Sequence, residues 1–288
     1  MSVLTIKDLK KNFGKTEALK GISLNVKKGD IFGFLGPNGA GKSTTLRCIM
    51  DFIRPSSGSI SIFQQDSTQS ASELKQKVAY VPSEPNLYPS WTVDEHINFT
   101  ASLQPTELKK AVELKQKLSL DGNKKVSQLS TGNQQKLALI LALITEPYLI
   151  LLDEPTRGLD PVLRAVLHKI LKNYQKLGGT ILLSSHDLSE VEELCNKVAI
   201  IKDGLLVEDK TIQNLKASKL HKIKLNYSGP EPSLAKLNIE DLAKNGKHIS
   251  FTFKGDLNPL LSKLNKCQLK DLEITSASLE DIFLEIYN

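Results

Sequence analysis

Eight consecutive residues constrain this chain more than any others. They are Gly36, Pro37, Asn38, Gly39, Ala40, Gly41, Lys42 and Ser43, with Thr44 following. The run fits G-x-x-x-x-G-K-[ST], in which glycines let successive backbone N–H groups curl around phosphate oxygens without Cβ obstruction. The apolar run 31–35 before it reads as a strand, and 42–52 after it reads as a helix. That helix aims its N-terminal partial positive charge at an anion. Lys42 can reach β- and γ-phosphates, and the Ser43 hydroxyl can ligate Mg²⁺. A strand, such a loop and a helix in that order demand an α/β fold.

The rest of the chain carries the same texture as far as residue 210. Strands are expected at 3–6, 22–26, 31–35, 59–63 and 78–81, then at 148–152, 180–184 and 198–201 with a helix between each of the last pairs. Between 91 and 144 the pattern is helical only. Thr92 and Glu95 have capping-box spacing, and Pro105 and Thr106 open a further helix with Leu108, Val112 and Leu118 along one face. We therefore expect one α/β domain built on the phosphate loop over 1–210, containing a helical subdomain at about 84–145. A small α+β appendage is expected over 211–288, with alternation at 222–227 and 248–253, a turn-rich stretch at 228–233 and an amphipathic helix at 278–287. The appendage holds no recognisable chemistry.

Composition removes several classes. The 288 residues carry 38 Lys and Arg against 32 Asp and Glu, a net charge of +6. Only four of the basic residues are Arg (Arg47, Arg54, Arg157 and Arg164). Arg is the preferred reader of phosphate and base edges, so a Lys-rich solvated surface explains the charge better than nucleic acid. Cys48, Cys195 and Cys267 are odd in number and far apart, which suggests neither disulfides nor a zinc site. No apolar run reaches the roughly 18 residues of a membrane span, and charges at Lys7, Asp8, Lys10 and Lys11 break any signal peptide. The expectation is a soluble, unexported chain in a reducing cytoplasm.

Two further strings carry chemistry. An apolar strand ends in Asp153 and Glu154. A carboxylate at the C-terminal end of a parallel strand borders the nucleotide cleft, where Asp153 suits Mg²⁺ and Glu154 can polarise the attacking water. Leu129, Ser130, Thr131, Gly132 and Asn133 precede a helix, and Ser130 stands 23 residues before Asp153. Taken alone, Ser130 reads as an N-cap.

In this combination the chain resembles the nucleotide-binding subunits of ATP-binding cassette (ABC) transporters, whose LSGGQ signature falls at 129–133. The resemblance covers residues 1 to about 210. It implies a P-loop NTPase (RecA-like) core with an antiparallel β subdomain and an α-helical insert, with ATP and Mg²⁺ as ligands. Phe13 matches the aromatic that stacks on adenine, Gly158 to Asp160 the D-loop, and His186 the switch histidine at the γ-phosphate. The catalytic residues implied are Glu154 and His186, and the metal is held by Ser43 and Asp153. ATP binding falls to Phe13, residues 36–44, Ser130 and Gly132.

The working form implied is a head-to-tail pair, either a homodimer or a pair with a paralogue. Each ATP then lies between one loop at 36–43 and the other subunit's Ser130 and Gly132. A separate membrane-spanning permease converts the opening of that pair into transport. Leu87, Tyr88 and Trp91 are candidates for its contact, and core packing explains them equally well. No nucleic acid is expected, and the place implied is the cytoplasmic face of the cell membrane. Residues 276–283 are similar to the closing helix of the drug- and antibiotic-exporter branch, the daunorubicin-resistance type.

Three features depart from the family pattern. Ser83 stands where a glutamine is usual, Thr131 and Asn133 alter the signature, and the insert is a little short. They motivate one alternative, a regulatory ATP-binding subunit with weakened hydrolysis. A second is a soluble ABC ATPase acting on nucleic acid or ribosomes, but the coiled-coil insertions, zinc cysteines or paired cassettes usual there are missing.

Overall fold

Two long strands open the chain, β1 (Ser2–Phe13) and β2 (Thr16–Lys27), paired antiparallel. Both outrun the expected segments because polar residues such as Lys10, Lys11 and Lys20 continue the ladder without giving a hydrophobic alternation. β3 (Ile31–Leu35) is buried at every position, the mark of a central parallel strand. Next comes α1 (Lys42–Ile49), which stops short of the expected Phe52 because Asp51 takes the left-handed conformation at φ 57°. β4 (Ser57–Ile62) and β5 (Gln65–Asp66) complete a four-stranded antiparallel sheet in the order β2-β1-β4-β5.

The computed structural model describes residues 1–68, 71–103, 106, 108–216, 220–235, 237–265, 267–276 and 283. After α2 (Ala71–Lys75) and β6 (Val78–Val81) come the insert helices α3 (Val93–Leu103), α4 (Leu108–Lys117) and α5 (Thr131–Ile144). The capping box forms: Thr92 N–H donates to Glu95 Oε2 at 2.6 Å, and Glu95 N–H donates to Thr92 Oγ1 at 3.1 Å. Thr92→Ala is expected to cost about 1 kcal/mol, read as a lowered urea midpoint with unchanged slope.

The expected face of α4 needs correction. Leu118 is buried, but Leu108 and Val112 are exposed, and Ala111 and Leu114 take the inward positions. Ala111, Leu114 and Leu118 form an i, i+3, i+7 stripe. Pro105 lies outside the described residues.

The core then alternates β7 (Leu149–Asp153), α6 (Pro161–Lys176), β8 (Thr180–Ser185), α7 (Leu188–Leu194), β9 (Lys197–Lys202) and β10 (Leu205–Thr211). The six-stranded sheet has the order β10-β9-β3-β8-β7-β6, with β9, β3, β8, β7 and β6 parallel. One apolar core joins the two sheets. Leu4, Ile6 and Ile22 of the antiparallel sheet pack with Phe32, Phe34, Leu149 and Leu182 of the parallel one, and Leu46 and Ile49 of α1 complete it.

Met1–Asp209 and Lys210–Asn288 are separate compact units. In the second, α8 (Ile212–Lys216) precedes β11 (Leu220–Ser228), β12 (Ile239–Asn245), β13 (His248–Lys254), α9 (Leu257–Leu264) and β14 (Gln268–Ser276). Its antiparallel sheet has the order β12-β13-β11-β14, and Ile223, Phe251 and Phe253 form a core with Leu260 and Leu264 of α9. Of the helix expected at 278–287, all but Phe283 lies outside the described residues.

Candidate active site

Four adjacent parallel strands deliver the predicted residues to one edge of the sheet. The loop 36–43 leaves β3, His186 follows β8, Asp153 ends β7 and Ser83 lies just past β6. Register sets their heights: Leu35 pairs with Ser185, Asp153 with Ser184, and Leu152 with Val81. The resulting cleft, of about 600 Å³, is lined by both sides of this arrangement, from Pro37, Lys42 and Ser43 to Ser83, Glu154 and His186. This is the strand-end crevice where open α/β sheets bind ligands.

Glycine is required at two points of the loop for different reasons. A Cβ on Gly36 would stand 2.4 Å from the Ile201 carbonyl oxygen, so the loop lies directly on β9. Gly41, the N-cap of α1, has φ 110°, and no side chain caps the helix. The first-turn N–H groups of α1 are thereby left to an anion. Buried Lys42 donates to the Gly36 carbonyl at 2.6 Å and the Pro37 carbonyl at 3.2 Å, with Glu154 Oε1 3.4 Å away.

Asp153 is fully buried. Its Oδ1 accepts from Ser43 Oγ at 3.1 Å and from Ser184 Oγ at 2.5 Å. Its Oδ2 accepts no hydrogen bond; burial first, and then the charge of Asp153, raises the pKa of the nearby Tyr80 hydroxyl. A buried carboxylate oxygen without a donor calls for a cation. Hydroxyl and carboxylate oxygens suit hard Mg²⁺, which takes its remaining ligands from water and phosphate.

Glu154 takes φ 52°, a left-handed conformation that costs a non-glycine residue energy and is concentrated at working sites. The conformation turns its side chain into the cleft. There Oε2 accepts from His186 Nδ1 at 2.6 Å while its backbone N–H is tied to Ser184. A carboxylate thus stands between an ammonium and an imidazole, suited to accept a proton from a water held beside a phosphate.

Other predicted residues stand apart from the cleft lining. Phe13, at the end of β1, is half exposed with the Lys11 ammonium 5.0 Å over its ring. Ser130 caps α5, accepting from Asn133 N–H at 3.3 Å, and its side chain is exposed. Gly132 is buried against the D-loop: a Cβ there would stand 2.5 Å from the Gly158 carbonyl oxygen.

Three residues were not foreseen. Ser184 is the second hydroxyl on Asp153, and only its β-strand register could have revealed it. Arg157 lines the cleft, although it sits three residues past Glu154 in the sequence. Glu190 is buried and accepts from Ser185 Oγ at 2.6 Å, bracing the turn that carries His186.

His168 of α6 faces that carboxylate. Its Nε2 is 3.9 Å from Glu190 Oε1 and its Nδ1 is 3.2 Å from Glu193 Oε2. Glu193 is nearer but its side chain is 61% exposed, against 3% for Glu190, so water screens the shorter contact and the buried one dominates. Glu190 raises the pKa of His168 above its ordinary value, with burial opposing and Glu193 adding to the rise. The same Glu190 charge, after burial itself, pushes the Cys195 thiol up. A raised folded-state pKa means the stabilisation is complete below the unfolded histidine value, about 6.5, and is lost as pH rises through the folded one. Melting from about pH 6 to about pH 9 is expected to show this loss in the wild type, and His168→Gln to flatten it.

The chain has relatives among known proteins. A family profile described as ABC transporter matches residues 19–157. The chain is 33% identical over 298 residues to a Nod factor export ATP-binding protein I of Burkholderia orbicola, covering 99% of this chain and 98% of that protein. Against the bacitracin transport ATP-binding protein BcrA of Bacillus licheniformis the identity is 31%, over 99% and 97% of the two chains. Among solved structures, an ATP-binding subunit of an ABC transporter superposes with a TM-score of 0.69 at 28% identity, covering 75% of this chain and 92% of that one. A dimeric post-hydrolysis cassette bound to ADP and Pi superposes at 0.66 and 26% identity, covering 73% and 98%. The curated relatives extend over nearly the whole chain, the solved cassettes over about three quarters.

Proposed function

Because the chain belongs to the ATP-binding subunits of ABC transporters and is an ATPase, we propose that the cleft on β3, β8, β7 and β6 is its hydrolytic site, working in a head-to-tail pair. The observation that carries this reading is the contact set around Glu154, with Lys42 on one oxygen and His186 on the other. Residues 36–44 hold the phosphates through backbone N–H groups and Lys42. Phe13 stacks on the adenine ring. Ser43 and Asp153 would hold Mg²⁺, which when bound supplies charge neutralisation to the phosphates. Glu154 orients the attacking water and takes its proton, and His186 holds Glu154 in place and donates to the γ-phosphate oxygens as charge develops there.

Ser130 and Gly132 stand outside this chain's own cleft lining and complete the site of a second subunit, a copy or a paralogue. ATP joins the pair and hydrolysis releases it. A membrane-spanning permease turns that cycle into transport, which the curated exporter relatives suggest is export. Among the described residues no helix is long and apolar enough to cross a membrane. The partner's docking surface is the aromatic cluster opening α3. In it Trp91 lies 4.6 Å from Tyr88 and 5.3 Å from Phe99, ring centre to ring centre, and Tyr88 and Phe99 are exposed. A membrane-spanning partner implies the cytoplasmic face of the membrane for the working subunit, and residues 211–288 are assigned as an accessory domain.

A complementation assay tests the shared site. Lys42→Ala and Ser130→Glu chains are each expected to be inactive alone. Mixed in equal amounts, half the pairs are mixed and each holds one intact site, so about a quarter of wild-type turnover should return. A mixture as inactive as its components would sink the head-to-tail reading.

A further inference from the structure

Arg157 is the second cation of the cleft lining, after Lys42, and the reaction as described gives it no work. Its backbone N–H donates to the Glu154 carbonyl at 3.1 Å, so it lies one turn past the residue that marks the γ-phosphate end. Its guanidinium is held from outside the core: Nη1 donates to Glu84 Oε1 at 3.1 Å. Glu84 lies just past β6, on the segment that leads through Tyr88 and Trp91 into α3. This pair therefore bridges the catalytic strand end and the root of the helical insert.

The bridge is weak by its setting. The side chains are 60% and 81% exposed, and ion pairs that open to water contribute little net stability. A phosphate carries more charge than one carboxylate and offers a guanidinium two parallel hydrogen bonds, so it can displace Glu84. Ser83, the neighbouring residue in the cleft lining, has only a short hydroxyl and offers the guanidinium no competing charge.

We propose that Arg157 exchanges Glu84 for the terminal phosphate of ATP, so that it distinguishes ATP from ADP and releases the root of the helical insert when ATP is bound. The exchange rests on the proposed hydrolytic site, since it requires the γ-phosphate at the Glu154 end. It gives nucleotide state a direct route to α3. Pro89 and Trp91 accept backbone bonds from Ser127 N–H and Val126 N–H, so Trp91 is tied to the insert and moves with it when Glu84 is released.

Trp91 is the only tryptophan of the chain and reports on this directly. The experiment measures ATP and ADP affinity together with Trp91 emission for the full-length wild type, Arg157→Gln, Arg157→Lys and Glu84→Gln. Both positions are exposed, so folding is not at stake. Arg157→Gln is expected to weaken ATP about tenfold and ADP by less than about twofold, and Arg157→Lys to fall between. Glu84→Gln is expected to tighten ATP about threefold. ATP should shift Trp91 emission in the wild type, and both Gln variants should lose most of the shift at saturating ATP. An unchanged ATP-to-ADP ratio in Arg157→Gln, a full shift in Glu84→Gln, or a wild type that binds ATP without any shift would overturn the exchange and leave the hydrolytic site standing. A wild type that binds no ATP would remove both.

Discussion

Glu154→Gln is expected to lower ATP turnover by roughly 10²- to 10⁴-fold, the range over which a positioned general base acts. The change is nearly isosteric and keeps an oxygen to accept from His186 Nδ1, whose bond to Glu154 spans 2.6 Å. It removes the charge that would accept the water proton. It also removes the anion 3.4 Å from Lys42, freeing the ammonium for phosphate, so ATP binding should be as tight as in the wild type or tighter. Initial rates of phosphate release, set beside equilibrium ATP binding, give both readouts. A variant retaining more than about a tenth of wild-type turnover would take the base role from Glu154 and favour a regulatory reading of the chain.

Glu190→Ala is expected to be the most destabilising single substitution in this region. It leaves His168 buried without its main partner and strips Ser185 Oγ of its 2.6 Å acceptor. Breaking one side of a buried pair costs about 3–5 kcal/mol, which in a unit of this size corresponds to a fall in Tm of roughly 6–20 °C. Ser185 also receives the Asp187 N–H at 3.0 Å, so the turn holding His186 loosens with it, and kcat should fall while ATP affinity holds. Replacing both His168 and Glu190 with Leu should recover much of the Tm without the turn geometry, because hydrophobic isosteres of a buried pair are well tolerated. Calorimetry on the single and double variants checks this. A single-variant shift below about 2 °C would mean that the pair carries no load.

Much of the site was legible because its parts are short and local. The loop at 36–43 is written in consecutive residues, and its function depends mainly on its own backbone. The same holds for the Thr92–Glu95 capping box, whose two hydrogen bonds span three residues. Legibility failed where the signal was shared or polar. On α4 two apolar stripes compete, and only the neighbouring α5 selects Ala111 and Leu114 over Leu108 and Val112. Strands such as β5, β12 and β14, and the polar ends of β1 and β2, are held by ladder pairing that leaves no hydrophobic alternation to read.

Local signals suffice for the strand that runs into a phosphate loop and a helix, and for Asp153 and Glu154 closing an apolar strand. These follow from local backbone preference and hydrophobic run length. Tertiary structure alone decided what those residues meet. β8 inserts between β3 and β7, and its register sets Ser184 beside Asp153 and brings His186 onto Glu154, 32 residues away in the chain. It likewise decided that Gly132 packs under Gly158, that Glu190 faces His168, and that Glu84 holds Arg157. Contacts across such separations depend on strand order and register, which the whole sheet fixes cooperatively and no local segment encodes.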